Sequence, residues 1–249
     1  MERKYWEKMA PDYDEEIFDV LQNDREQIIS GALQHVAGKG KTVADLGCAI
    51  GKWLPLLSTR FGKVLAVDIS KKNLDIAAKK HSHLANIDYH RADLSGRDLR
   101  LPKADVAICV NAILSTSRLK RDRFFENIKQ TLRPGGSLLL VVPALESWMQ
   151  TRVLQARYKL DRKLFRKPAD EVAAERYHAL QEGNAEIDDV LTKHYMEGEL
   201  LVLLKEYGFS CNTPQKIRYT WDTEFVEKTD KLDAVAPWDW FVLARVIKN

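Results

Sequence analysis

The strongest constraint on this chain is an alternation between residues 42 and 142, where short, almost wholly apolar runs are separated by stretches with helical spacing. Five runs read as strands: Thr42–Leu46, Lys63–Ile69, Ile87–Arg91, Val106–Val110 and Ser137–Val142. Such strands need cover on both faces, which a parallel sheet flanked by helices supplies. The spacers fit those helices: Lys52–Phe61, Ser70–His81 with Ser70 as N-cap, and Leu119–Leu132, halted by Arg133-Pro134-Gly135-Gly136. The repeating order predicts an α/β fold with an open, mostly parallel sheet.

Outside that span the pattern changes. Glu15–His35 reads as a leading helix, part of an N-terminal helical segment over 1–40. From Pro143 to Lys193 the chain is charged and helical in spacing without a strand pattern, so 144–193 is read as a helical cap insertion. Glu197–Tyr207 is a helix closed by Gly208, and Lys216–Trp221 and Trp240–Ile247 are two final strands joined by a linker with Pro237-Trp238-Asp239. The whole of 1–249 is read as a single domain.

Composition narrows the function classes. Hydrophobic residues at 45% and charged residues at 30% exclude wholesale disorder and a disulfide scaffold. A net charge of +3 permits a nucleic-acid partner but does not point to one. Cys48, Cys109 and Cys211 lie far apart, as reduced thiols of a cytoplasmic protein do, and argue against a cysteine-ligated zinc; no metal is expected. The longest apolar run, Ser137 to Leu145, is far short of the ~18–20 residues of a transmembrane helix. The segment from Met1 to Lys8 lacks the apolar core of a secretory signal.

The chemistry concentrates at Val43-Ala44-Asp45-Leu46-Gly47-Cys48-Ala49-Ile50-Gly51-Lys52, an apolar strand ending in an acid, then small residues, then a helix. Glycine permits a tight turn and close backbone approach to a ligand, and a helix start offers unpaired N–H groups. A dinucleotide fingerprint would carry a third glycine where Lys52 stands, and Asp45 suits a cationic ligand better than a pyrophosphate.

Asp45 to Gly51 resembles the first motif of the class I S-adenosylmethionine-dependent methyltransferases, with Ala49 in place of the middle glycine. Val67-Asp68-Ile69-Ser70 and Arg91-Ala92-Asp93-Leu94 resemble that family's second and third strand ends, and Leu132 to Gly136 its turn into strand five. The stretch from Tyr5 to Asp14 resembles the leading segment of the small-molecule branch. The resemblance implies a Rossmann-like seven-stranded sheet with an antiparallel last strand. It also implies S-adenosylmethionine as cofactor and S-adenosylhomocysteine as product. In that reading Tyr13 covers the cofactor, Asp45 attracts its ammonium, and Gly47, Cys48, Ala49 and Gly51 bring backbone close to it. Asp68 and Ile69 meet the ribose, Asp93 and Leu94 the adenine, and Asn111 the methionine part or the substrate.

The acceptor is less defined. Val110-Asn111-Ala112-Ile113-Leu114 lacks the Pro-Pro-aromatic run of nucleobase-amine methylating enzymes, and neither a Pro-Cys pair nor a paired-glutamate hairpin is present. These absences favour methyl transfer to an oxygen or nitrogen of a small molecule. A hydroxyl acceptor needs a general base; His194 and Tyr195 are the candidates, with His178 behind them. Over 152–167, Val153, Leu154, Tyr158, Leu160, Leu164 and Phe165 form an apolar face opposite Arg152, Lys159, Arg162, Lys163, Arg166 and Lys167. That pattern suits a lid or a peripheral membrane contact. The alternatives are an RNA or protein methyltransferase and a non-catalytic adenosylmethionine-binding protein.

Overall fold

A computed structural model describes residues 3–13, 17–161, 170–187, 190–226 and 229–247. The N-terminal part carries α1 (Arg3–Met9), α2 (Val20–Asn23) and α3 (Ile28–Val36). The expected single helix from Glu15 to His35 is broken, because aspartates bond local backbone amides in place of the helical ladder. Asp19 caps α2 by accepting from the Gln22 amide at 3.1 Å, and Asp24 accepts from the amides of Ile28 at 2.8 Å and Ile29 at 2.9 Å.

The alternation then appears as read: β1 (Gly38–Leu46), α4 (Leu54–Arg60), β2 (Phe61–Asp68), α5 (Lys71–Lys80), β3 (Ile87–Arg91), β4 (Ala104–Val110), α6 (Arg118–Thr131) and β5 (Leu132–Pro143). β1 starts at Gly38, so the N-terminal helical segment is shorter than 1–40. Ser70 caps α5 as expected, accepting from the Asn73 amide at 3.2 Å. Arg133 to Gly136 do not precede β5 but bulge within it, where the pairing steps from Ala104↔Leu132 to Val106↔Ser137. Gly135 takes the left-handed conformation there at φ 76°.

The expected helical cap contains α7 (Leu145–Tyr158), α8 (Asp170–Gln181) and an antiparallel hairpin of β6 (Asn184–Ile187) and β7 (Val190–Lys193), which the sequence reading lacked. The proposed amphipathic helix over 152–167 is not one helix: α7 ends at Tyr158, and Lys159 turns left-handed at φ 60°. Its buried stripe is polar, with Ser147, Thr151 and Gln155 one turn apart, whereas Val153 is 62% exposed. Leu154 and Tyr158 pack against Leu160, Trp221, Phe225 and Leu232. Residues 162–169, and with them Arg162, Lys163, Leu164, Phe165, Arg166 and Lys167, lie outside the described residues.

The chain closes with α9 (Glu197–Glu206), β8 (Phe209–Cys211), β9 (Gln215–Arg218) and β10 (Trp238–Val246). Among the described residues the main sheet has eight strands in the order β3-β2-β1-β4-β5-β10-β8, with β9 also on β10. β8 and β9 share one edge position, paired with the two ends of β10, so the expected seven positions hold eight strands. Pro214, which cannot donate to a ladder, lies between the two. β1 to β5 are parallel and β10 is antiparallel to β5, as the fold class requires. Successive strand residues serve opposite faces: Leu138, Leu140 and Val142 pack with Phe125 and Leu200, while Leu139 and Val141 pack with Leu33 and Leu57.

Two consequences position the site. Strand order reverses between β2-β1 and β4, which opens a crevice at the carboxyl edge. Because β10 runs backward, its first residues arrive at that same edge, with Asp239 opposite Pro143 at the end of β5. The Trp238-Asp239 pair expected in a linker is therefore part of a strand. Among the described residues no helix is long and apolar enough to cross a membrane.

Replacing Asp24 with Ala removes the acceptor for two amides at the start of α3. Urea unfolding is expected to show a loss of about 1–2 kcal/mol. An unchanged midpoint would mean that α3 is anchored by its apolar face alone.

Candidate functional site

The turn from β1 into α4 is built from backbone that alanine-like residues avoid. Gly47 has φ 86° and Gly51 φ 84°, both left-handed. The Gly47 and Cys48 amides donate to the Val67 carbonyl at 2.8 and 2.9 Å, tying the turn to β2. A Cβ on Gly47 would lie 2.5 Å from the Ala112 Cβ, so the space that glycine leaves faces the loop after β4 and not a ligand. A Cβ on Gly51 would lie 2.6 Å from Leu54 Cδ1 and 3.0 Å from His81 Cδ2. Ala49, in the middle glycine's place, is itself left-handed at φ 47°. Its amide donates to Asp68 Oδ2 at 2.9 Å, which fixes that conformation.

Two adjoining cavities open over the crevice. The smaller, about 110 Å³, is lined by Asp68, Ile69, Asp93 and Leu94. The larger, about 740 Å³, is lined by Asp45, Cys48, Trp148, His194 and Asp239. Trp6, Tyr13, Gly47, Ala49 and Asn111 line both and form their common wall. Ten of the eleven cofactor-side candidates thus meet at one place. Gly51 lines neither cavity; its role is in the turn and in the packing of α4.

Asp45 is 2% exposed, and its Oδ2 has no hydrogen-bond partner. Burial, and then the nearby Asp68 charge, push its carboxyl up to about 8. Asp68 is also raised by burial, against the lowering effect of its backbone bonds. Its Oδ1 accepts from the Ser70 amide at 2.8 Å and its Oδ2 from Ala49, leaving lone pairs on both oxygens. Asp93 is exposed, and its Oδ1 accepts from the Ser95 amide at 2.8 Å and the Ser95 hydroxyl at 2.7 Å. Asn127 steadies this loop by donating to the Leu94 carbonyl at 2.9 Å and the Gly96 carbonyl at 3.0 Å. Tyr13 is raised, mainly by burial, and keeps its phenol proton.

Beyond β4, Asn111 is left-handed at φ 46° and donates from Nδ2 to Asp239 Oδ2 at 2.8 Å. The Tyr219 hydroxyl donates to the same oxygen at 2.9 Å. Asp239 and Tyr219 were not found by sequence reasoning, because pairing across the sheet, not chain proximity, joins them to Asn111.

The two catalytic candidates part company. His194 lines the larger cavity, with Nδ1 at 2.9 Å from the Thr192 carbonyl. That carbonyl requires the proton on Nδ1 and leaves the Nε2 lone pair available. Burial lowers its pKa to about 4, so it is neutral at pH 7. Tyr195 is fully buried and lines neither cavity, and its hydroxyl donates to the Ile113 carbonyl at 3.0 Å. It is a packing residue, a correction to the sequence reading; its backbone bonds to Pro143 and Leu145 join it to the end of β5. His178 is exposed on α8. Arg152 stacks over Trp148 at 5.3 Å and lines the larger cavity, so it does not belong to a solvated basic face. Among the described residues no cluster of His, Cys, Asp or Glu could hold a metal ion.

The raised Asp45 carboxyl means that the native state holds a proton between pH 4 and 8 that the unfolded chain has released, so stability falls as pH rises through that window. His194 acts the opposite way between pH 4 and 6.5, where the unfolded chain binds the extra proton. The Asp45 effect is therefore read between pH 6.5 and 8. Urea unfolding of the ligand-free protein is expected to lose stability over that range, with a shallower slope in Asp45→Asn; an equal slope refutes the assignment.

Changing Ala49 to Gly removes a side chain from a left-handed position and is expected to add roughly 1 kcal/mol of stability. A loss in the same urea experiment would show that the Ala49 methyl contributes packing worth more than the strain.

Comparisons with known proteins agree with this geometry. Residues 43–136 match a family model described as a methyltransferase domain. No curated protein sequence matches the chain. Among solved structures, an S-adenosylmethionine-dependent methyltransferase from Methanosarcina mazei is 16% identical, covering 88% of this chain and 98% of its own, with a TM-score of 0.59. One from Mesorhizobium loti is 22% identical, with 86% and 96% covered and a TM-score of 0.58. The N-methyltransferase NodS from Bradyrhizobium japonicum WM9, in complex with S-adenosyl-L-homocysteine, is 10% identical, with 98% and 97% covered and a TM-score of 0.61. At these identities the structures speak for the fold.

Proposed function

We propose that this chain is a class I S-adenosylmethionine-dependent methyltransferase that moves a methyl group from S-adenosylmethionine to an oxygen or nitrogen of a small molecule. The observation that carries the cofactor reading is the buried, unpartnered Asp45 Oδ2 beside the Gly47 turn. A desolvated carboxyl of this kind is stabilised by a cation, and the ammonium of the cofactor's amino-acid end is one.

The other residues fit the remaining parts. Both Asp68 oxygens keep lone pairs for ribose hydroxyls, with Ile69 beside them in the smaller cavity. Asp93 Oδ2 is available to an adenine amino group and the Leu94 amide to a ring nitrogen. Gly47, Cys48 and Ala49 form the floor of the larger cavity, and Trp6 and Tyr13 line both cavities from the N-terminal segment. Bound adenosylmethionine supplies an electrophilic methyl group on a sulfonium. The chain's part is to hold donor and acceptor in line and dry, which is worth several kcal/mol of barrier. His194, neutral with a lone pair on Nε2, is the proton-accepting candidate on the acceptor side.

An acceptor of small size is supported by the larger cavity, whose ~740 Å³ lies in the range of small-ligand sites. Residues 144–193 supply part of its wall through Trp148, Arg152 and His194, which supports reading them as the acceptor cap of one domain. The RNA reading rested on a basic helical face, and Arg152 is drawn away from it into the cavity. Three cysteines without a disulfide support a reducing compartment such as the cytoplasm.

Calorimetry with S-adenosylhomocysteine tests the reading. The wild-type protein is expected to bind it, Asp45→Asn to bind at least tenfold more weakly, and Asp93→Ala a few-fold more weakly, in line with ~1.5–3 kcal/mol for hydrogen bonds to charged groups. Absence of binding heat in the wild type, or equal affinity in Asp45→Asn, defeats it.

A further inference from the structure

Resting on the methyltransferase reading, we propose that Asp239, Tyr219 and Asn111 form an acceptor subsite selective for an amine carried on an apolar body. The three are joined at one atom. Asp239 Oδ2 takes the Asn111 amide hydrogen at 2.8 Å and the Tyr219 hydroxyl hydrogen at 2.9 Å. The Tyr219 hydroxyl hydrogen and one of the two Asn111 amide hydrogens are spent on this carboxylate.

What remains on the three residues is one Asn111 amide hydrogen and two acceptor oxygens. Asn111 Oδ1 is buried without a partner on the wall that the two cavities share. The carboxylate also fixes which way the Asn111 amide faces, since the flipped amide would set oxygen against oxygen. Asp239 is 9% exposed and lines the larger cavity, with its second oxygen outside this pair of bonds. A single group that satisfies both acceptors donates at least two hydrogen bonds, as an ammonium or amine does and a carboxylate does not.

The electrostatic surroundings point the same way. Among the described residues the larger cavity is lined by Asp19, Asp45, Glu186, Glu224 and Asp239 against Lys52 and Arg152. Lys52 is paired with Asp19 at 3.2 Å, and Arg176 pairs with Glu186 at 2.8 Å. With Asp45 protonated at pH 7, Asp19 and Glu186 paired and Glu224 facing Arg152, the carboxylate left facing the shared wall is Asp239, which in a low-dielectric enclosure favours a cationic ligand over an anionic one. Phe18, Trp53, Trp148 and Trp238 supply the apolar walls for the ligand's body. Held between Asn111 and Asp239, the amine sits beside the Gly47 turn, at the junction where the cofactor's methionine end belongs in the proposed function.

The test uses protein saturated with S-adenosylhomocysteine and a matched fragment set: benzylamine, phenethylamine and tryptamine, each beside the alcohol and the carboxylate of the same scaffold. Affinities are measured by ligand-observed NMR for wild type and Asp239→Asn. The amines are expected to bind at least tenfold tighter than their partners, and Asp239→Asn to erase that preference while leaving S-adenosylhomocysteine affinity within twofold. Carboxylates or alcohols binding as well as amines, no class binding at all, or a preference that survives in Asp239→Asn each overturn the proposal. The wild-type preference decides the matter by itself where Asp239→Asn does not fold. If S-adenosylhomocysteine gives no binding heat, the methyltransferase reading fails, and the same fragment comparison on the ligand-free protein still decides the subsite.

Discussion

One hydrogen bond organises the functional edge of this protein: the Ala49 amide donating to Asp68 Oδ2 at 2.9 Å. It joins the turn after β1 to the end of β2, and it holds a non-glycine residue in a left-handed conformation that would otherwise relax. With the Gly47 and Cys48 amides on the Val67 carbonyl, it sets the distance between the first two carboxylates. Asp45 is buried because of this closure, and its raised pKa follows from burial and from the neighbour that the closure brings near. The site is thus assembled by backbone bonds whose side effect is an electrostatic cost.

That cost recurs along the edge. Asp45, Asp68 and Asp239 are all buried and all raised by desolvation. Each is compensated differently. Asp68 has two backbone donors, Asp239 has Asn111 and Tyr219, and Asp45 Oδ2 has nothing. Unsatisfied buried acceptors are uncommon in folded proteins, and where they cluster on a cavity wall they describe the donor that belongs there. The gradient from compensated to uncompensated carboxylates traces a path from the ribose side to the amino-acid side of the proposed ligand.

Much of this was legible in the sequence because it is local. The apolar runs gave β1, β2, β4 and β5, since a strand covered on both faces shows itself in its own residues, whereas β3 is a half-exposed edge strand of mixed composition. Asp45, Asp68 and Asp93 were legible because each ends or follows such a run. The failures were of two kinds. Where polar residues bond their own backbone, as Asp24 does before α3, helical spacing overstates helix length. Where hydrophobic spacing suggested an apolar face on α7, the buried stripe proved to be Ser147, Thr151 and Gln155, because that side borders the larger cavity: Ser147 and Thr151 line it, and Ser147 also accepts from the Trp238 amide at 2.8 Å. Tyr195 looked like a catalytic group from its position alone, yet its hydroxyl is held by the Ile113 carbonyl.

The sequence by itself determined the α/β alternation, the small-residue turn at Gly47 to Gly51 and the order in which acids reach the strand ends, because these depend on residues within a few positions of one another. Only the tertiary structure decided that Asp239, 128 residues from Asn111, would share a hydrogen bond with it. The cause is the reversed direction of β10, which delivers the beginning of the last strand to the edge where the parallel strands end. Direction and neighbour in a sheet are set by how strands pack, and the residues of β10 taken alone carry no mark of either.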